Sequence, residues 1–425
     1  MFNLKLKAGA LQFTLFISIV IALLLTAFIL LIQTHKLFDV QTNFAIETIE
    51  NSNRGIDYSL LNATRLNDTT VIRLNDEDYK ALNIHREFWG AFERVTATSK
   101  IKTHTFRKTA LIGAQQPRTN RTALYVQDNN RPLVLVGNTK IEGLAHLPRQ
   151  GVKSGSISGQ SYYGSQLIYG PTKTASNLPE LFEETTANLR NNLKIVSKLS
   201  KPQYLNLESG QTYTNSFLNP VQVVFNPSTI RLSAVDISGH IIVQSQTKII
   251  LESSSNLKDV LLIAPKIEIK NNVKGTFQAI ASKEILVERN CTLNYPSALV
   301  IVEKESSTIE NTTQGERTIP LKIDSNSTMK GVVIYLGTKK QNNYNAQVSI
   351  GKDSTLHGEI YCSNNLELAG EVFGSVYTNN FTTKQAGSIY QNHIYNGTIN
   401  IDSLNVNYIG LPFNNSKKGI LKWLY

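Results

Sequence analysis

Few residues in this sequence have the types and the spacing that catalysis requires. The histidines lack the paired spacing of a metal site, and they are His35, His85, His104, His146, His240, His357 and His393. A Gly-x-Ser-x-Gly elbow, a P-loop and a His-Glu-x-x-His motif are all absent from the sequence. Three acids of the C-terminal half remain as candidates for a carbohydrate-active site, namely Asp236, Asp259 and Asp324. The sequence therefore predicts a protein that is not an enzyme and that needs no cofactor or metal.

The overall composition predicts a folded protein with more than one folding unit. The chain has 425 residues, of which 41% are hydrophobic and 18% charged, too apolar a mixture for a disordered protein. Only two cysteines are present, Cys291 and Cys362, which excludes a disulfide scaffold and a multi-thiolate metal site. They either bridge neighbouring segments or remain as buried free thiols.

The N-terminal residues predict a membrane span. The segment from Phe13 to Ile32 contains no charged residue, and about 20 such residues cross a bilayer as a helix. The apolar run is longer than that of a signal peptide, and no small-x-small site follows it, so an uncleaved anchor is favoured over a conventional cleaved signal. Lys5 and Lys7 place the N-terminus in the cytoplasm. The prediction is a single-pass protein of the inner (cytoplasmic) membrane with its C-terminal bulk in the periplasm or exposed outside.

The helical pattern continues beyond the span. Apolar residues recur at near-helical intervals until an Asn-, Thr- and Asp-rich stretch at residues 62–70, and they are Phe38, Phe44, Ile46, Ile49, Ile56 and Leu60. We expect a basic leader at residues 1–9, a transmembrane helix at 10–34 and an amphipathic continuation at 35–62.

This N-terminus resembles that of type IV pilin-like proteins, in particular the minor pilins and pseudopilins. The resemblance lies in the sequence Lys5-Leu6-Lys7-Ala8-Gly9, the following Ala10 to Phe16, and the long helix. In that family a membrane peptidase cuts after the glycine of a basic leader, and the helix packs in a filament. The resemblance implies cleavage between Gly9 and Ala10 and partners among envelope proteins or pilin-like subunits. The alternative is a plain signal anchor.

Residues 63–137 are predicted to form a small β-rich section. Two strands at 123–126 and 133–136 flank a turn-rich hexapeptide and predict a hairpin. Basic residues without an intervening acid precede them, and they are Arg94, Lys100, Lys102, Arg107, Lys108, Arg118 and Arg121. They suit contact with anionic lipid headgroups, a cell-wall polymer or an acidic partner protein, or they form a solvated strand face. Nucleic acid is excluded as a partner because this section lies outside the cytoplasm.

The rest of the chain predicts a mainly β fold. Residues 138–202 are a glycine-rich β section with a helical insert from Leu178 to Leu199, and residues 411–425 are a cap or tail. Between them, residues 203–410 contain short strands separated by polar turns, few of which are hairpin dipeptides. This pattern favours a β-solenoid (β-helix) over a β-sandwich array.

Repeated phrases support the solenoid prediction. An apolar residue lies two positions before each of four glycines, Gly275, Gly331, Gly358 and Gly374, which we expect at solenoid corners. In this arrangement Glu359 and Ser375 would face outward. The stretch from Lys266 to Gly397 resembles the bactofilins and other polymer-forming β-helix proteins, which assemble through bare coil ends. The tail 414–425 would cover one such end, or dock into a partner through Trp423 and Leu424.

Three classes of function remain open. The first is a non-enzymatic structural component of a pilin-like or secretion-type envelope assembly, which the sequence favours. The second is a surface or periplasmic module that binds carbohydrate or protein, and an exposed row of Tyr335, Tyr361 and Tyr377 would support it. The third is a β-helix enzyme acting on polysaccharide, which requires a cleft that unites two or more carboxylates with a Lys or Arg.

Overall fold

The architecture combines one long helix with a mainly β body. The structure, a computed structural model, describes residues 8–74, 78–117, 119–194, 203–303, 318–338, 343–414 and 416–424. The helices are α1 (Ala8–Leu61) and α2 (Glu183–Asn192). The predicted basic leader lies mostly outside the described residues, as do Arg118 and the C-terminal end of the predicted helical insert.

The β-strands are numbered in chain order. They are β1 (Asp68–Ile72), β2 (Lys80–Trp89), β3 (Phe92–Ile101), β4 (His104–Gln115), β5 (Thr122–Val126), β6 (Leu133–Val136), β7 (Lys140–Glu142), β8 (Leu144–Leu147), β9 (Val152–Ser154), β10 (Ser156–Ile157), β11 (Gln160–Ser161), β12 (Thr172–Thr174), β13 (Thr212–Asn215), β14 (Gln222–Asn226), β15 (Ile230–Leu232), β16 (Asp236–Gly239), β17 (Ile241–Ser245), β18 (Lys248–Leu251), β19 (Asn256–Ile269), β20 (Lys274–Val287), β21 (Thr292–Val302), β22 (Leu321–Ile323), β23 (Thr328–Leu336), β24 (Val348–Ile350), β25 (Thr355–Leu368), β26 (Glu371–Gln385), β27 (Ser388–Gln391), β28 (His393–Tyr395), β29 (Thr398–Asn400), β30 (Ile409–Gly410) and β31 (Lys417–Trp423).

Helix α1 runs without a break for 54 residues, as the sequence predicts. At 1.5 Å per residue it is about 80 Å long, enough to cross a bilayer and to continue as far again beyond it. Only its last turns pack on the β body. The buried side chains there recur at helical spacing and are small or polar, with one exception, and they belong to Thr48, Asn51, Ser52, Ile56 and Ser59.

The helix approaches the sheet closely because of Gly55. A Cβ atom at this position would lie 2.9 Å from the Cβ of Ala97 and 3.0 Å from the Cδ1 of Leu82. Of the six apolar residues that suggest an amphipathic continuation, Ile56 is buried and Phe44 and Leu60 are partly buried. Phe38, Ile46 and Ile49 are exposed.

The last turns of α1 pack on an antiparallel sheet. Strands β1, β2, β3 and β4 pair in sequence order, and β30 and β31 from the C-terminus both pair with β4. The prediction that the tail caps one end of the solenoid is wrong, since Lys417–Trp423 forms an edge strand of this sheet. The charged side chains of Lys417, Lys418 and Lys422 lie on that strand and discourage pairing with another chain.

The remaining strands pair almost entirely in parallel, in a closed arrangement around one interior. Corresponding positions of successive segments lie side by side, so that Ile249 pairs with Ile267 and Ile267 with Ile285. Strands β19, β20, β25 and β26 bend and take part in pairing along most of their length. Aliphatic side chains of these segments fill the interior and form the largest apolar core of the described residues.

The order of the strands in space differs from their order in the sequence. Val376 of β26 pairs with Leu124 of β5, Leu124 pairs with Ala145, and Ala145 pairs with Thr172. Residues 122–174 therefore stack beyond β26, although they precede it by about 250 residues. The prediction of a hairpin at residues 123–136 is also wrong. Strands β5 and β6 do not pair with each other but pair in parallel with β26 and β28, far along the chain.

A second core joins the antiparallel sheet to the parallel strands. Trp89, Phe92 and Leu111 from the sheet pack against Ile263, Ile280 and other residues of the parallel strands. Helix α2 contributes Leu189 to this core. It begins at Glu183, five residues later than the predicted start at Leu178, and Leu181 before it forms a bridge with Phe413.

Candidate functional site

The most extensive unpaired apolar surface belongs to α1. In the described residues it is the one helix long and apolar enough to cross a membrane, and none of the window that meets this test is buried. Exposure continues past the span, with 67% of Phe38, 51% of Ile46 and 43% of Ile49 accessible. Their spacings of eight and three residues place these three side chains on one side of the helix. An exposed apolar surface of this kind is a candidate contact surface for another molecule.

The basic residues between β3 and β5 do not form one patch. The ammonium of Lys102 lies 4.8 Å from the ring centroid of Phe44, and that of Lys108 lies 3.9 Å from the ring of Trp423 and donates to Asn53. Lys102 therefore links α1 to the sheet, and Lys108 links both α1 and the edge strand β31 to it. Arg107 reaches the carbonyl of Leu218.

The other members of the basic set lie apart from these. Lys100 is exposed at the end of β3. Arg121 donates to the carbonyls of Leu404 and Asn405, and burial lowers the pKa of its guanidinium. Arg118 lies outside the described residues. Lys102 and Lys108 thus contact α1, Arg107 and Arg121 contact loops, and Lys100 is exposed.

The four glycines predicted at corners all lie within parallel strands, in β20, β23, β25 and β26. Gly331, Gly358 and Gly374 pair directly with one another in successive strands and have φ angles of +141°, +149° and +155°. Gly275 pairs with Leu257 and does not have a positive φ. Residues with side chains rarely adopt the three positive angles, so this ladder depends on glycine.

A buried carboxyl group joins the parallel strands to the C-terminal segment. Glu359 is only 1% exposed, and it accepts a hydrogen bond of 2.5 Å from the backbone N–H of Leu411 and another from the side-chain amide of Gln116. The hydroxyl groups of Tyr408 and Tyr295 add hydrogen bonds of 2.9 Å to Gly331 and 2.8 Å to Ile409. The prediction that Glu359 and Ser375 face outward would leave both side chains exposed to solvent. They are buried instead, because the antiparallel sheet and the C-terminal segment cover them.

Burial raises the pKa of Glu359 to about 7, although the hydrogen bonds from Leu411 and Gln116 and the charge of Arg121 act against the shift. A carboxyl group whose pKa is higher when folded stabilises the protein below its unfolded pKa, and this contribution is lost as the pH rises through 7. We expect the free energy of unfolding of the wild type, relative to Glu359→Gln, to increase on the order of 2–3 kcal/mol from pH 8 to pH 5.

Urea unfolding of both proteins in detergent, followed by circular dichroism, measures this difference. The comparison cancels the opposite contribution of His146, His240, His357 and His393, whose pKa values burial lowers. A difference between the two proteins that stays constant with pH would contradict the raised pKa of Glu359.

The acids and thiols proposed for chemistry are not brought together. Asp259 pairs with Lys422 at 2.6 Å, Asp324 lies 3.6 Å from Lys322, and Asp236 is exposed. Among the described residues no three His, Cys, Asp or Glu side chains could hold a metal ion. Cys291 and Cys362 are free and buried, and burial raises the pKa of their thiols to about 11 and about 12.

The tyrosines considered for a binding face are buried. Tyr335 is inaccessible, and Tyr361 and Tyr377 are 8% and 7% exposed. Tyr361 and Tyr377 belong to the core beneath the antiparallel sheet, and the ring of Phe413 lies 6.1 Å and 4.6 Å from theirs. They do not form an exposed aromatic row.

Sequence reasoning missed two features of the site. The small and polar part of the packed face of α1 went unnoticed, because Asn51, Ser52 and Gly55 carry no hydrophobic signal. The spacing of these small residues, at three and four positions, was the signal that could have revealed a close helix contact. Glu359 gave no signal, since its burial depends on residues 50 or more positions away in the chain.

The fold and its surfaces define a mainly β protein with a long, exposed apolar N-terminal helix that is a candidate membrane anchor. No family model matches the chain, and no curated protein matches it. Among solved structures, it is similar to the crystal structure of the competence-associated pilin ComZ from Thermus thermophilus. The two are 10% identical, the alignment covers 92% of this chain and 94% of that chain, and the TM-score is 0.22. A likeness of this size is too remote to define a fold or a function.

Proposed function

We propose that the chain is a membrane-anchored structural protein that joins a pilin-like envelope assembly through α1. Its N-terminus would lie in the cytoplasm and its β body in the periplasm or beyond. The proposal assigns no catalytic role to the protein. The parallel strands would serve as a β-solenoid, a proposal supported by the direct pairing of Gly331, Gly358 and Gly374.

One observation carries this proposal. The last turns of α1 pack on the sheet, and yet Phe38, Ile46 and Ile49 stay exposed beyond the apolar segment. Outside lipid, their exposure is costly at about 25 cal/mol per Å² of apolar surface. Helices of neighbouring subunits would cover this side, since a straight apolar stripe matches another helix along its length.

Site-specific photo-crosslinking in native membranes tests the proposal. A photoreactive amino acid in place of Ile49, which lies on the same side of the helix as Phe38, should form adducts with the N-terminal helix of a second copy or of another single-pass envelope protein, identified by mass spectrometry. Arg54 provides the control, since it is exposed on the opposite side of the helix from Phe38. Equal yields at the two positions, or adducts with lipid alone, would contradict an assembly through this surface.

The intact mass of the same preparation tests the pilin-like processing. Cleavage between Gly9 and Ala10 removes nine residues and exposes a new N-terminus. An uncut chain would leave a plain signal anchor and remove the support for a peptidase-processed pilin-like protein, while the crosslinking result would still decide whether α1 has a helical partner.

A further inference from the structure

An acidic cleft lies where the segment before α2 meets the parallel strands and the C-terminal segment. Its volume is about 540 Å³, within the range of small-ligand sites. Carboxylates, a phenol and apolar side chains line it together, and the main ones are Glu180, Glu183, Glu184, Tyr361, Leu181 and Leu336. This cleft has no part in the membrane anchor or in the proposed assembly surface.

Backbone hydrogen bonds fix the walls of the cleft. The N–H of Phe182 donates to the carbonyl of Pro412 at 2.8 Å, and the N–H of Asn414 donates to the carbonyl of Glu180 at 3.2 Å. Glu183 and Glu184 belong to the first turn of α2. The carboxylates are therefore held in position by two segments that support each other.

The charges in the cleft are only partly compensated. Glu184 forms an ion pair of 2.6 Å with Arg86, whereas the carboxylates of Glu180 and Glu183 have no cationic partner among the described residues. This leaves an excess of negative charge beside the apolar side chains of Leu181 and Leu336. A ligand with a cationic head and an apolar stem would satisfy both features.

Tyr361 adds a second polar group to the cleft. The residue is only 8% exposed, its hydroxyl makes no hydrogen bond within the described part of the chain, and the hydroxyl oxygen remains accessible from the cleft. Burial, followed by the negative charge of Glu180, raises the pKa of this phenol to about 12. A hydroxyl group that opens into a cleft and has no protein partner is free to hydrogen-bond a bound molecule.

The chemistry of the cleft distinguishes an organic cation from a metal ion. The described residues contain no group of three carboxylates, imidazoles or thiols close enough to hold a metal. We propose that the cleft binds an organic cation with N–H donors, a guanidinium or primary ammonium group. The cation would donate to Glu180, Glu183 and the hydroxyl oxygen of Tyr361, while its stem packs on Leu181 and Leu336.

Isothermal titration of the full chain in detergent with arginine amide tests this site. We expect arginine amide to bind saturably. Tetramethylammonium, a cation without N–H donors, should bind at least about tenfold more weakly. Glu180→Gln and Tyr361→Phe should each weaken arginine amide binding about tenfold. Glu371→Gln removes an exposed carboxylate outside the cleft and should leave the affinity unchanged.

The results separate the site from general attraction by surface charge. Absence of saturable binding would overturn the proposal, as would an equal effect of Glu180→Gln and Glu371→Gln. Since Glu180 is exposed, its substitution tests the site even if Tyr361→Phe were to disturb the fold.

Sedimentation velocity distinguishes two sources of the cation. If the cation is a basic side chain of a second copy, the protein should self-associate and arginine amide should reverse the association. If the cation is a free small molecule, arginine amide should not change the association state.

Discussion

Replacing Gly374 with alanine should lower the free energy of unfolding by about 3–5 kcal/mol. The added Cβ would lie 1.8 Å from the carbonyl oxygen of Gly358, the residue paired with it in the neighbouring strand. Since this neighbour is backbone, no side-chain rotation relieves the clash. The φ angle of +155° adds conformational strain, because residues with a Cβ rarely adopt it. The parallel strands would have to separate at this position.

The variant Gly387→Ala provides the matched control. Gly387 also has a positive φ angle, +82°, but an added Cβ would meet nothing within 4 Å. Strain alone predicts a loss of about 1 kcal/mol there. Urea unfolding midpoints, with circular dichroism of the β signal, measure both losses. Similar losses in the two variants would mean that the strands at Gly374 can move apart without cost, against the close stacking described here.

The long apolar helix and three of the glycine positions with positive φ could be predicted from the sequence because both depend on local residue type. Twenty uncharged residues from Phe13 to Ile32 are enough to predict a helix across lipid. A glycine two positions after an apolar residue, repeated along the chain, likewise marks a place between stacked strands that lacks room for a side chain. In both cases the physical constraint lies within a few residues of the pattern that reports it.

The strand order and the buried carboxyl group could not be predicted, because their determinants are distant in the chain. Leu124 and Leu135 lie on either side of a turn that favours a hairpin, but they pair with Val376 and Ile394. Parallel partners of this kind leave no local signal, since each strand reads only as a short apolar run. Glu359 alternates with apolar neighbours as an outward residue should, and only the covering sheet and C-terminal segment make it buried.

Substituting Glu93 by alanine should cost about 3–5 kcal/mol, because it leaves a buried guanidinium without its main partner. Arg86 and Glu93 are 4% and 6% exposed and form two parallel hydrogen bonds of 2.9 Å and 2.8 Å. Burial alone would raise the pKa of Glu93, but the hydrogen bond from Arg86 and the charge of Lys418 outweigh it and hold the pKa below 4.5. The carboxylate is therefore ionised at neutral pH.

This ion pair connects four parts of the fold, which explains why its loss should affect more than one contact. Arg86 also donates to the carbonyl of Thr64, just after α1, at 2.7 Å, and to Glu184 of α2. Lys418 of the edge strand reaches Glu93 at 2.8 Å. Without Glu93, the charges of Arg86 and Lys418 would lie close together with only the half-exposed Glu184 to compensate them. Repulsion should loosen both α2 and the edge strand.

The control is Glu252→Ala, which removes the partner of Arg231 on the parallel strands. The side chain of Arg231 is 58% exposed, and an exposed pair of this kind contributes about 1 kcal/mol or less. Chemical unfolding gives the two losses, and hydrogen exchange measured by mass spectrometry should report faster exchange in residues 183–192 and 417–423 of Glu93→Ala alone. If Glu93→Ala and Glu252→Ala lost the same stability, the buried cluster would not hold these segments together, and α2 and the edge strand would depend on their apolar contacts instead.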